Sequence, residues 1–268
     1  MTNKILIILF PGFGVSKKLW DSYIIKNKII KHDFIKQLKN IGELYFYEPK
    51  YYNLFYYTKD KIDKLLYHKN INYNNDDLCI DKICDTIFND IKEYINQNYK
   101  LILLGHSIGS YFVHYFSNKY YKYCLFNVII DGSCLMKSSD YIYKYDKYKK
   151  LVDKYSDYSN EYIEELKKDI NNEKSLDKLM HNSSYKLFSF YNKSTIEPFK
   201  IPTLAFYNIE LIKKYDDLRL NEINYLVKNN KDFKYITFIK KTHFPHHIED
   251  SRNIIIDNIK IMLNNIFN

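Results

Sequence analysis

Short runs made almost wholly of apolar residues recur along this chain, separated by longer stretches with helical spacing, and that alternation limits the possible folds more than any other feature. Ile5–Phe10 reads Ile-Leu-Ile-Ile-Leu-Phe, with no polar residue for either face of a strand. Such a strand must be covered on both sides, as in a parallel sheet with helices above and below it. Leu44–Tyr47, Leu101–Leu104, Leu125–Ile130, Thr203–Tyr207 and Tyr235–Ile239 are further strand candidates. Between them, Asn75–Tyr99 carries Leu78, Ile80, Ile83, Ile87, Phe88, Ile91, Tyr94 and Ile95 at helical spacing, with Asp76 and Asp77 near its start. Helices are also expected over about 108–118, 215–228 and 254–266. Strands joined by helical patterns make βαβ units, so the expected fold class is α/β: a mostly parallel central sheet with helices on both faces.

The alternation lapses between the strand at 125–130 and the one that Pro202 opens. Here a long helical stretch, about 138–193, carries Tyr141, Tyr145, Tyr148, Val152, Tyr155 and Tyr162 on one face. That stripe is expected to pack an inserted subdomain onto the body, or to line a substrate pocket as the aromatic face of a cap, and the two can hold together. The expected organisation is a core of residues 1–133 and 201–268 with a helical cap insert at 134–200.

Composition removes several functions. The chain of 268 residues has 41 Lys plus Arg against 32 Asp plus Glu, a formal charge of +9. Yet Arg219 and Arg252 are its only arginines, so the bidentate base-reading side chain is nearly absent. Lys, Asn, Ile, Tyr and Phe are enriched together, and compositional drift accounts for the basic charge without a nucleic-acid partner. Cys79, Cys84, Cys124 and Cys134 have neither a C-x-x-C pair nor regular spacing. They read as reduced cysteines of a cytoplasmic protein. No apolar run approaches the roughly 20 residues of a membrane span, and Ile5–Phe10 is too short for a secretion signal.

Gly105-His106-Ser107-Ile108-Gly109 follows one apolar run and precedes a helical pattern. A G-x-S-x-G in that setting is a nucleophile elbow, a tight turn that lifts a serine hydroxyl clear of the sheet edge. With 6 Gly and 16 Ser in the chain, chance placement gives roughly 0.01 such pentapeptides. Gly12, Gly14, Gly105 and Gly109, four of the six glycines, sit in two short motifs, the second being Phe10-Pro11-Gly12-Phe13-Gly14. A third motif, Lys241-Thr242-His243-Phe244-Pro245-His246-His247-Ile248-Glu249-Asp250, follows the last strand.

Together these motifs resemble the α/β-hydrolase superfamily over nearly the whole chain. The resemblance makes Ser107 the nucleophile and His243 the general base. It also makes the backbone N–H groups of Phe13 and Ile108 the oxyanion-hole donors. Pro11 stands where many relatives have His, and Thr242 where many have Gly; Ser16 and Trp20 also fit the family pattern. His106 is a common occupant of the elbow, His114 a core or surface residue, and His246 and His247 structural or capping residues.

The acid is open. Glu210, just after the strand at 203–207, is preferred; Asp131, closing the strand at 125–130, is the alternative, with Asp216 or Asp217 behind them. The implied reaction is hydrolysis of a small-molecule carboxylic ester or thioester through an acyl-enzyme. No cofactor is expected and no metal, since Pro245 interrupts any helix that could present His243, His246 and His247 together. A non-catalytic module that binds a ligand or a protein is the alternative. Nothing in the chain fixes an oligomeric state.

Overall fold

The computed structural model describes residues 4–12, 17–25, 28–48, 80–132, 197–208, 217–239 and 243–268. Six strands form one sheet: β1 (Ile5–Phe10), β4 (Glu43–Phe46), β5 (Lys100–His106), β6 (Cys124–Ile130), β7 (Thr203–Asn208) and β8 (Phe233–Phe238). Their spatial order is β4-β1-β5-β6-β7-β8, and every neighbouring pair is parallel. Strands β2 (Ser22–Ile25) and β3 (Lys28–Lys31) make a separate antiparallel pair.

The apolar runs are buried for the reason their sequence suggests. Alternate residues of β1 enter opposite cores. Leu6, Ile8 and Phe10 join Leu101 and Leu103 of β5 beneath α2 (Ile80–Asp90) and α4 (Gly109–Lys119). Ile5, Ile7 and Leu9 join Ile102, Leu104, Val128 and Ile130 beneath α1 (Phe34–Lys39) and α6 (Glu249–Phe267). A smaller cluster of Ile129, Ala205 and Tyr207 packs on Ile223 and Leu226 of α5 (Asp217–Asn229). Each large side chain buried this way stabilises the fold by about 1.5–3 kcal/mol relative to exposure.

Several boundaries differ from the sequence reading. The helix expected from residue 75 is described from Ile80 and is interrupted at Ile91, after which α3 (Lys92–Asn96) continues it. The last helix starts at Glu249, five residues earlier than expected, and carries Glu249 and Asp250 in its first turn, where negative charge suits the helix dipole. Neither the β2–β3 pair nor α1 was expected. Ile29 and Ile30 of β3 are both exposed, so their two apolar side chains do not mark a buried strand face. The expected cap insert at 134–200 lies outside the described residues except for 197–200.

The register brings the carboxyl ends of the strands together. Phe10 pairs with Gly105, His106 with Ile130, and Ile130 with Phe206. The turns after β1, β5 and β6 therefore emerge side by side, at the end of a parallel sheet where ligands of α/β proteins bind.

Candidate active site

Ser107 follows the last residue of β5 and has φ 54°, in the left-handed region. A non-glycine residue held there costs of order 1–3 kcal/mol, and the surroundings enforce it. The Ser107 N–H donates to Ile130 O at 3.0 Å, and Ser107 O accepts from Ser110 N–H at 3.1 Å and from Ser110 Oγ at 2.7 Å. At Gly109, the first residue of α4, a Cβ would fall 2.2 Å from Phe10 O and 2.8 Å from Pro11 O. Backbone oxygens cannot move aside as a flexible side chain can, so glycine alone lets the helix come this close to β1. Ile108 is the N-cap of α4, at the end of the helix where backbone N–H groups have no intrahelical partner and favour negative charge.

Asp131 is the residue immediately after β6 and also has positive φ, 45°. Its carboxylate is buried, and its Oδ2 lies 2.6 Å from His243 Nδ1. Its Oδ1 accepts from the Asn208 N–H at the end of β7, at 3.2 Å. A buried carboxylate is tolerable when both oxygens are engaged in this way. Of the acids considered, the structure therefore sets Asp131, the alternative, against the imidazole. Glu210, the preferred residue, and Asp216 lie outside the described residues, as does the side chain of Asp217.

A signal for Asp131 was present in the sequence: the following residue is Gly132. A Cβ there would fall 1.5 Å from Ser110 Oγ and 2.5 Å from Ser107 O. The turn carrying the acid thus abuts the elbow.

His243 reaches the site from the opposite side of the chain's path, after β8. Its side chain is 27% exposed, against 1% for Asp131, so one edge of the ring faces outward while the other meets the acid. Among the described residues no hydrogen bond joins Ser107 Oγ to His243; unliganded sites often leave this contact long until substrate binds. The loop that carries His243 is pinned by side chains. His106 Nε2 and His243 O are 2.8 Å apart. Arg252 Nη1 donates to His246 O and His247 O, each at 3.4 Å. Arg252 Nε sits 2.8 Å from Asp33 Oδ1 as an ion pair rather than an aligned hydrogen bond.

Aromatic packing completes the support. Trp20 stacks on Phe34, lies 5.3 Å from the ring of His246, and meets the His106 ring edge-on at 6.2 Å. His246 is buried, and His247 stacks on Tyr23 and Phe244. Burial, reinforced by neighbouring His243, holds the pKa of His106 well below the usual imidazole range. His114 is buried with Nε2 2.7 Å from Glu197 O, and burial lowers its pKa to about 4. No group of His, Cys, Asp or Glu able to hold a metal occurs among the described residues. Phe13, the other expected oxyanion donor, lies outside them.

No protein-family model matches the chain, and no curated protein matches it. Solved structures do. A carboxylesterase from the ammonia-oxidizing thaumarchaeon Nitrososphaera gargenis superposes with a TM-score of 0.61 at 12% identity, covering 98% of this chain and 92% of that one. MenH from S. aureus gives 0.59 at 13% identity, covering 100% and 96%. An epoxide hydrolase from Bacillus megaterium gives 0.56 at 13% identity, covering 98% and 95%. One fold carries several reactions among these neighbours, so the likeness speaks to architecture and leaves the chemistry to the site. The chain has the α/β-hydrolase fold.

Proposed function

We propose that this protein is a serine hydrolase that cleaves a carboxylic ester or thioester through an acyl-enzyme on Ser107. The observation that carries the reading is the 2.6 Å contact between His243 Nδ1 and buried Asp131, one strand away from a serine held at positive φ. In this reading His243 takes the Ser107 proton as Oγ attacks the carbonyl carbon, then delivers it to the departing alcohol or thiol. Asp131 fixes the imidazole tautomer and stabilises the imidazolium that forms. The Ile108 N–H, with that of Phe13, receives the oxyanion; losing one such donor costs about 2.7–4 kcal/mol of barrier. Water then repeats the sequence on the acyl-serine and frees the acid. No cofactor enters these steps.

An active-site fluorophosphonate tests the reading. It will label Ser107 in the wild-type chain, and Ser107→Ala and His243→Ala will each abolish labelling. The missing Ser107–His243 hydrogen bond favours one other reading, a non-catalytic module that binds a ligand or a protein. Folded wild-type protein that resists the probe would select that module. No described helix is long and apolar enough to cross a membrane. We propose a cytoplasmic location from the sequence pattern of the four cysteines, which has neither a C-x-x-C pair nor regular spacing.

A further inference from the structure

His106 occupies the position before Ser107, and its ring lies against the histidine loop and beside Gly12 of the loop after β1. It is fully buried, 4.8 Å from the ring of His243, 4.6 Å from Phe244 and 5.4 Å from His246. Its two nitrogens face different chemistry. Nε2 lies 2.8 Å from the carbonyl oxygen of His243, a group that can only accept, so Nε2 must carry the proton. Nδ1 is then the bare acceptor of a neutral ring; it is buried with no hydrogen-bond partner among the described residues. A Cβ on Gly12 would come within 2.6 Å of this nitrogen and 3.2 Å of Ser107 Cβ. The ring is therefore wedged between the loop after β1 and the loop that carries the base.

We propose that His106 is a positioning residue: its Nε2–H holds the main chain of His243 and so sets the height of the imidazole above Ser107. The proposal rests on the serine-hydrolase reading for its catalytic consequence, but the clamp itself is a physical claim about one hydrogen bond between residues 137 positions apart. Without that donor, the His243 carbonyl stays buried and unpaired or the loop shifts to reach water. A shift of about 1 Å in a reacting group can cost on the order of 100-fold in rate. The chemistry of a neutral donor is reproduced by Gln, whose amide reaches about as far as Nε2. Asn keeps the amide but is too short, and Leu fills the space with no donor.

The experiment compares His106→Gln, His106→Asn and His106→Leu with the wild type by two readouts. Hydrogen–deuterium exchange of backbone amides around residues 243–250 reports the clamp without reference to activity. The rate of fluorophosphonate labelling, resolved into maximal rate and half-saturating probe concentration, reports its effect on Ser107. Asn and Leu will raise exchange in that segment and cut the maximal labelling rate by about 10- to 100-fold with little change in half-saturation; Gln will stay within about threefold in both. Wild-type exchange and labelling in Asn and Leu would overturn the proposal. So would equal damage in all three, because a packing role would not distinguish Gln from Asn. Should Leu fail to fold, the Gln–Asn pair still decides. If folded wild type never labels while the Gln–Asn difference in exchange persists, the hydrolase reading fails and the clamp stands.

Discussion

The elbow and the histidine loop meet at one site, yet they are held by opposite means. The elbow is fixed by main-chain sterics: Ser107 at positive φ, and Gly109 pressed on the carbonyl of Phe10. The histidine loop is fixed by polar side chains, with His106 on the His243 carbonyl and Arg252 on those of His246 and His247. Steric constraints of the first kind leave a local motif, because only small residues satisfy them. Contacts of the second kind leave none, because the partners are distant in sequence and many residue pairs can make a hydrogen bond. The serine turn is thus held by backbone sterics and the histidine loop by side-chain hydrogen bonds.

The largest effect separates the acids. Asp131→Asn keeps the shape of the carboxylate but loses its charge and the tautomer it imposes, and it will lower kcat/KM for an activated ester by about 10,000-fold. Glu210→Gln will change it far less. If Glu210→Gln were the damaging change and Asp131→Asn the mild one, the base would be served from the end of β7 instead.

Breaking the elbow comes next. Gly109→Val sets branched carbon against Phe10 O, where the present clearance to a Cβ is 2.2 Å. It will destabilise the protein by about 3 kcal/mol or more, read as a lower urea midpoint. An unchanged midpoint would mean that the start of α4 yields more readily than the geometry implies.

The smallest effect sharpens the contrast. Arg252→Met removes the buried guanidinium while keeping its apolar stem. It will cost about 1–2 kcal/mol by the same urea assay and slow labelling of Ser107 severalfold. A stability loss with unchanged labelling would show that Arg252 supports α6 but not the base.

How much of this could be read from the sequence follows the same division. β1, β5, β6 and β7 were legible because burial on both faces leaves an apolar run with no competing interpretation. The start of β8 was placed two residues late, since only its first and last residues are buried and Lys234 and Tyr235 are both exposed. The β2–β3 pair, in which Ile29 and Ile30 are exposed, was missed altogether. The tight turn at Ser107 was legible from glycine spacing, whereas His243 stood out only through the resemblance. The place of Asp131 beside His243 had one cue in the sequence, Gly132, but which strand end lies beside β5 is seen only in the pairing of His106 with Ile130. The roles of His106 and Arg252 were invisible for a simpler reason: each acts on a carbonyl, and every residue has one.

The alternation of β1 between two cores has a consequence for how this protein can change over time. Leu6, Ile8 and Phe10 serve one face and Ile5, Ile7 and Leu9 the other, so apolar replacements of similar volume are the changes these six positions tolerate best. A single-codon insertion or deletion is different. It would exchange the two sets and pull Gly12 out of line with the serine turn. Descendants of this gene should therefore vary in the spelling of that segment, among apolar residues of similar volume, and hardly ever in its length.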